Sequence, residues 1–168
     1  MGNATYWIEK LGLQAHPEGG YFAETYRSDL LLSSSALPDN YQGSRTAATA
    51  IYFLITGEAF SALHKVASDE GWHFYTGSSP IYLTMISPEG ELTSVVLGPD
   101  AENGQRFQYV VPAHHWFAAE VKEIDDFALV GCTVAPGFDF ADFELGKRAD
   151  LIESFPQHQQ FIERLTRS

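Results

Sequence analysis

Cysteine, basic residues and long apolar runs are all scarce in this chain, and each scarcity removes a class of function. A single cysteine in 168 residues excludes an intrachain disulfide. Cys132 sits inside Leu129-Val-Gly-Cys-Thr-Val134, so it reads as a small buried hydrophobe rather than a nucleophile. Ten Lys and Arg stand against 22 Asp and Glu, for a net charge of -12 and a pI near 4.7. That balance argues against sequence-independent binding to nucleic acid or to anionic membranes, because both need clustered cations. No apolar run reaches membrane-spanning length, and Met1 to Lys10 shows neither a basic n-region nor an apolar h-region, so a cytoplasmic location is expected. There is no internal repeat, phosphate-binding loop, Cys-x-x-Cys pair or nucleophile elbow, and no shift of composition that marks a boundary. A single domain over residues 1–168 follows.

What the chain does have is apolar and aromatic bulk: 45% hydrophobic residues and 14% aromatics. Aromatic and β-branched segments at 20–28, 46–56, 58–67, 71–77, 80–87, 91–97, 106–111, 115–121 and 127–134 alternate with turn residues such as Ser87-Pro-Glu-Gly90. Many short strands at this spacing predict an all-β sandwich or barrel. Asn3 or Thr5 is placed to cap a short helix with Trp7, Ile8 and Leu11 on one face, ending near Gly12. Pro156 suits the first position of a closing helix with a stripe of Phe161, Ile162 and Leu165. Residues 29–45 form the longest irregular stretch, which reads as a lid.

Strand parity sorts the candidate site residues, because side chains alternate between the two faces of a sheet. If His64 points into the barrel, so do Phe60, Ala62 and Val66; Glu70 pointing inward takes Trp72 and Phe74 with it and turns His73 outward. His64 and Glu70 are the candidate catalytic pair, the carboxylate fixing the imidazole tautomer and stabilising its charged form. They equally suit a structural hydrogen-bonded pair. Trp72, Phe74 and Phe117 are either a stacking surface for a ligand ring or barrel filling. Glu24 and Arg27 are unusual charges in a strand-like run, suited to a ligand or to a subunit contact, and Asp139 follows a Pro-Gly turn near the barrel mouth.

Four ordered blocks carry a family resemblance: His16-Pro-Glu-Gly-Gly-Tyr-Phe-Ala-Glu-Thr-Tyr-Arg-Ser28, Asp69-Glu-Gly-Trp-His-Phe-Tyr-Thr-Gly77, Val111-Pro-Ala-His-His-Trp116 and Val134-Ala-Pro-Gly-Phe-Asp-Phe-Ala-Asp-Phe-Glu-Leu145. Together, over residues 5–145, they resemble the Cupin_5 branch of the cupin superfamily, a domain of unknown function. The resemblance implies a cupin double-stranded β-helix, a jelly-roll barrel, with short N- and C-terminal helices, residues 146–168 forming a C-terminal helical extension. The spacing of His64, Glu70 and Gly77 matches half of the first cupin motif, His-x-His-x(3,4)-Glu-x(6)-Gly. Val66 stands at the second histidine, and Phe117 stands where the second motif supplies a ligand. A divalent metal at His64 and Glu70 is therefore disfavoured, since it needs a third ligand from His73, His16 or Glu24. His114 occupies a position where related sequences tend to carry Gly. The expected function is that of a small-molecule-binding cupin, an isomerase or epimerase acting on a carbohydrate-like ligand by acid–base chemistry. The alternatives are a non-catalytic binding or storage-type module and, third, a metal-dependent oxygenase. A homodimer is expected, because jelly-roll sheet edges need cover and Tyr21–Ser28 suits a neighbour's sheet.

Overall fold

A computed structural model describes residues 2–167 and contains two facing antiparallel sheets. Thirteen strands are defined: β1 (Gln14–Ala15), β2 (Tyr21–Arg27), β3 (Leu31–Leu32), β4 (Arg45–Thr46), β5 (Thr49–Thr56), β6 (Ser61–Lys65), β7 (Asp69–Gly77), β8 (Ile81–Ile86), β9 (Leu92–Leu97), β10 (Gln108–Val111), β11 (Trp116–Glu120), β12 (Phe127–Ala135) and β13 (Glu144–Leu145). One sheet has the order β1-β2-β5-β12-β7-β10 and the other β13-β6-β11-β8-β9, with β3 and β4 pairing separately. This is the expected jelly roll. Inward-facing Phe53, Ile55, Trp72, Leu83, Met85, Phe117 and Val130 fill the space between the sheets.

Both sheets are also covered from outside, which explains why strands such as β6 and β12 are buried almost throughout rather than alternating. Helix α1 (Ala4–Leu11) is capped by the Asn3 side chain and closed by Gly12 at φ 63°. It lays Trp7, Ile8 and Leu11 on Leu54, Phe127 and Leu129. At the other end the structure departs from the single helix predicted from Pro156. Helix α2 (Arg148–Ser154) comes first, Pro156–His158 form a 3-10 turn, and α3 (Gln159–Arg164) follows. Pro156 opens that turn because it needs no backbone N–H there. Leu151, Ile162 and Leu165 pack on Leu63, Ile86 and Ala118 of the second sheet.

The stretch 29–45 is not a free loop. It contains the β3–β4 ribbon, Tyr41 Oη bonds the Ala67 carbonyl at 3.1 Å, and the Arg45 guanidinium holds Asp142 through two bonds of 2.7 and 2.6 Å. Those contacts tie it to the strand ends around the barrel mouth. Among the described residues no helix is long and apolar enough to cross a membrane.

Candidate functional site

Between the sheets, on the side where the β1–β2 turn and residues 136–143 meet, lies a cavity of about 340 Å³, at the small end of the range for ligand pockets. His16, Glu18, His64, Glu70 and Cys132 form its polar floor, Phe22, Phe53, Val66, Phe138 and Phe140 are among its walls, and Glu24, Arg27 and Asp139 also line it.

Glu18 reaches the floor because of the two glycines after it. Gly19 has φ 109° and Gly20 φ 74°, and a Cβ on Gly19 would stand 2.1 Å from the Phe60 carbonyl oxygen. Only glycine permits that approach. His16 N–H donates to the Gly20 carbonyl and Gly19 N–H to that of His16, closing the turn, while Ala62 N–H donates to Glu18 O at 2.9 Å and ties it to β6.

A β-bulge completes the cluster. On β11, Phe117 pairs with His64 and Ala119 with Ser61, so three steps on β6 face two on β11. The extra residue reverses the parity. Ser61 and His64 thereby both reach Glu18, the Ser61 hydroxyl donating to Oε1 at 2.6 Å and His64 Nε2 lying 3.3 Å from Oε2. Phe60, expected beside His64, packs outward against the helices.

Hydrogen-bond directions assign the protons. The Ala62 carbonyl, 2.8 Å from His64 Nδ1, only accepts, so Nδ1 carries the hydrogen and Nε2 presents its lone pair to Glu18 when the ring is neutral. His16 Nδ1 accepts from the Glu18 backbone N–H at 3.3 Å and lies 3.4 Å from Glu18 Oε2. Burial pushes the Glu18 carboxyl up to about 8, against the opposing Ser61 bond. It pushes Glu70 up to about 7, partly offset by His64. Burial and then the His64 charge lower His16 to about 4, and burial also lowers His64. At neutral pH the shared proton therefore sits on Glu18 and is donated to His64. The Cys132 thiol, driven well above its ordinary value by burial, lies against Glu70. The Trp72 indole N–H also lies beside Glu70, close enough to favour its ionised form but outside strict hydrogen-bond geometry.

His64, Glu70, Glu24, Arg27 and Asp139 thus line one cavity, as do His16 and Glu18. Two expectations are corrected. Trp72 and Phe117 are wholly buried in the inter-sheet core, with Phe117 packed behind His64 at a centroid distance of 4.1 Å, and Phe74 packs against the same core; none of the three lines the cavity. Glu70 is not the group that orients His64, since Ala62 and Glu18 hold its two nitrogens. Glu24 and Arg27 pair with each other at 2.9 and 2.7 Å, and Arg27 also reaches the Phe138 carbonyl. Asp139 accepts from Ala141 N–H at 2.8 Å and so shapes the turn that carries Phe140.

The residues do not fit the cupin metal set. Val66 lines the cavity where a ligand is needed, Phe117 fills the other place, and His73 faces away, bonded to Thr133 Oγ1 at 3.0 Å. Among the described residues no three His, Cys, Asp or Glu are grouped to hold a metal ion. His114 has φ 66°, the left-handed region that favours glycine, and its side chain borders a separate surface groove with Lys65 and Glu144 rather than this cavity.

Comparison with known proteins agrees with the fold. Residues 5–146 match the family model Cupin_5, described as Cupin superfamily (DUF985). An uncharacterized protein of Saccharomyces cerevisiae, YML079W, is 31% identical over 144 residues, which cover 80% of this chain and 71% of that protein. A solved structure of Shewanella oneidensis protein SO0799 has 38% identity and a TM-score of 0.89, covering 99% of each chain. A hypothetical protein from Leishmania major has 34% identity and a TM-score of 0.89, covering 99% of this chain and 100% of its own. The oxalate decarboxylase of Bacillus subtilis shares the fold alone, at 12% identity and a TM-score of 0.51, over 90% of this chain and 36% of that one.

Proposed function

Because this chain belongs to the Cupin_5 family of the cupin superfamily, we propose that it binds a small carbohydrate-like ligand in the cavity and moves a proton on it, as an isomerase or epimerase does. The observation that carries this reading is the Glu18–His64 contact of 3.3 Å, a carboxylic acid and an imidazole sharing one proton at the floor of a ligand-sized cavity beside a second carboxyl, Glu70. Glu18 and Glu70 retain 6% and 7% exposure against 1% for His64, so the carboxyls meet the ligand and the imidazole stands behind them. In the proposed step the C–H bond next to a carbonyl breaks, its electron pair moves to the carbonyl oxygen, and the proton passes to ionised Glu70. Glu18, its acid held by the lone pair of His64 Nε2, returns its own proton to the carbon, and proton exchange with water resets Glu70 and Glu18. A pKa near 7 suits Glu70 to the first task, and one near 8 suits Glu18 to the second.

The test is solvent deuterium exchange into sugars first selected by thermal shift. The expected result is exchange at the carbon beside the carbonyl with the native protein, lost in Glu70→Gln and His64→Asn while binding largely survives. Full turnover by His64→Asn removes His64 from the mechanism. A bound sugar that never exchanges favours the second reading, a non-catalytic binding module, which the full pairing of both His64 nitrogens within the protein also supports.

A further inference from the structure

The ionisable lining of the cavity is predominantly acidic. Besides Glu18, which holds its proton, the carboxyls of Glu24, Glu70 and Asp139 stand against one guanidinium, Arg27. That guanidinium is already occupied by both carboxylate oxygens of Glu24, at 2.9 and 2.7 Å, and by the Phe138 carbonyl at 3.3 Å. No other Lys or Arg among the described residues lines the cavity to receive a phosphate or a carboxylate. Glu18 is held by Ser61 and His64, whereas Glu70, 7% exposed and aimed into the cavity, enters no ion pair among the described residues. Phe22, Phe53, Phe138 and Phe140 surround the same space. Phenyl faces attract cations, and a desolvated ammonium is stable only beside an anion and such rings. An anionic group in the same place would meet carboxylates across low dielectric.

We propose that the cavity takes a ligand bearing a protonated amine, with the ammonium set between Glu70 and the phenyl rings, and that it rejects phosphorylated, carboxylated and nucleotide-linked ligands. This rests on the cavity being the ligand site, and not on the ligand being a carbohydrate. The probes are two matched sets titrated calorimetrically at neutral pH: glucose, glucosamine and glucose 6-phosphate; and cyclohexanol, cyclohexylamine and cyclohexanecarboxylate. In at least one set the amine is expected to bind roughly tenfold or more tighter than the alcohol, with no binding of the anion. Glu70→Gln should erase most of that preference. Preference in the cyclohexane set alone sustains the ammonium site and sinks the carbohydrate reading. Equal binding of amine and alcohol, tighter binding of an anion, or an amine preference that survives Glu70→Gln overturns the ammonium site while leaving the cavity as a ligand site. No binding in either set at millimolar concentration overturns both.

Discussion

Replacing Glu18 by Gln tests the electrostatics of the floor without removing its hydrogen bonds. Gln keeps an oxygen for the Ser61 hydroxyl and presents an N–H to His64 Nε2, so it mimics the protonated acid. In the folded native protein the Glu18 pKa is about 8, against the ordinary 4.5 that the unfolded chain approaches. Between those values the folded state holds a proton that the unfolded state has lost, so stability from this group is full below 4.5 and falls as pH rises through 8. His16 and His64 act in the opposite sense, their lowered values adding stability as pH rises towards 6.5. Above 6.5 that contribution is complete and the carboxyls act alone. One pKa unit is about 1.36 kcal/mol, so between pH 6.5 and 8 Glu18 lowers native stability by about 2 kcal/mol, and Glu70, at about 7, adds a smaller loss. Glu18→Gln lacks the first loss. In urea unfolding at both pH values the variant should gain on the native protein by about 2 kcal/mol, roughly 1 M in midpoint at an ordinary slope. Parallel pH profiles for the two proteins, or a variant that loses ground at pH 8, would refute the assignment of the proton to Glu18.

Asp142→Asn leaves the covered Arg45 guanidinium without its charge partner, and chemical unfolding should show a loss of about 3 kcal/mol, the low end for a buried pair because the Gln42 and Ser44 carbonyls still accept from the guanidinium. At His114 the left-handed backbone penalises branching; His114→Val should melt earlier than His114→Gly, a difference of about 1–2 kcal/mol, and equal melting would contradict the backbone strain. Light scattering after size exclusion is expected to give a homodimer at micromolar concentration, and a monomer there refutes the assembly. With a charge of -12 the protein is expected to leave duplex DNA and anionic vesicles unbound at physiological salt, a salt-sensitive micromolar affinity being the contrary result.

Strand positions, the N-terminal helix and the inward set containing His64, Glu70 and Val66 were all legible in the sequence by itself. Their signals are local: alternation, capping and turn residues act over a few positions, and the motif spacing of His64, Glu70 and Gly77 survives as a string. The composition likewise set the sign of the net charge. The partner of His64 was decided only in three dimensions. Glu18 lies in a turn between β1 and β2, and only the Gly19–Gly20 backbone and its bond to Ala62 bring it under β6. Ser61, 43 positions from Glu18, joins it through a bulge that breaks the alternation on which a parity argument depends. Trp72, Phe74 and Phe117 have the same apolar character whether they line a cavity or fill a core, so their place was set by packing against the opposite sheet. The charge of the cavity is likewise a tertiary property, since burial, which no short string encodes, is what keeps a proton on Glu18.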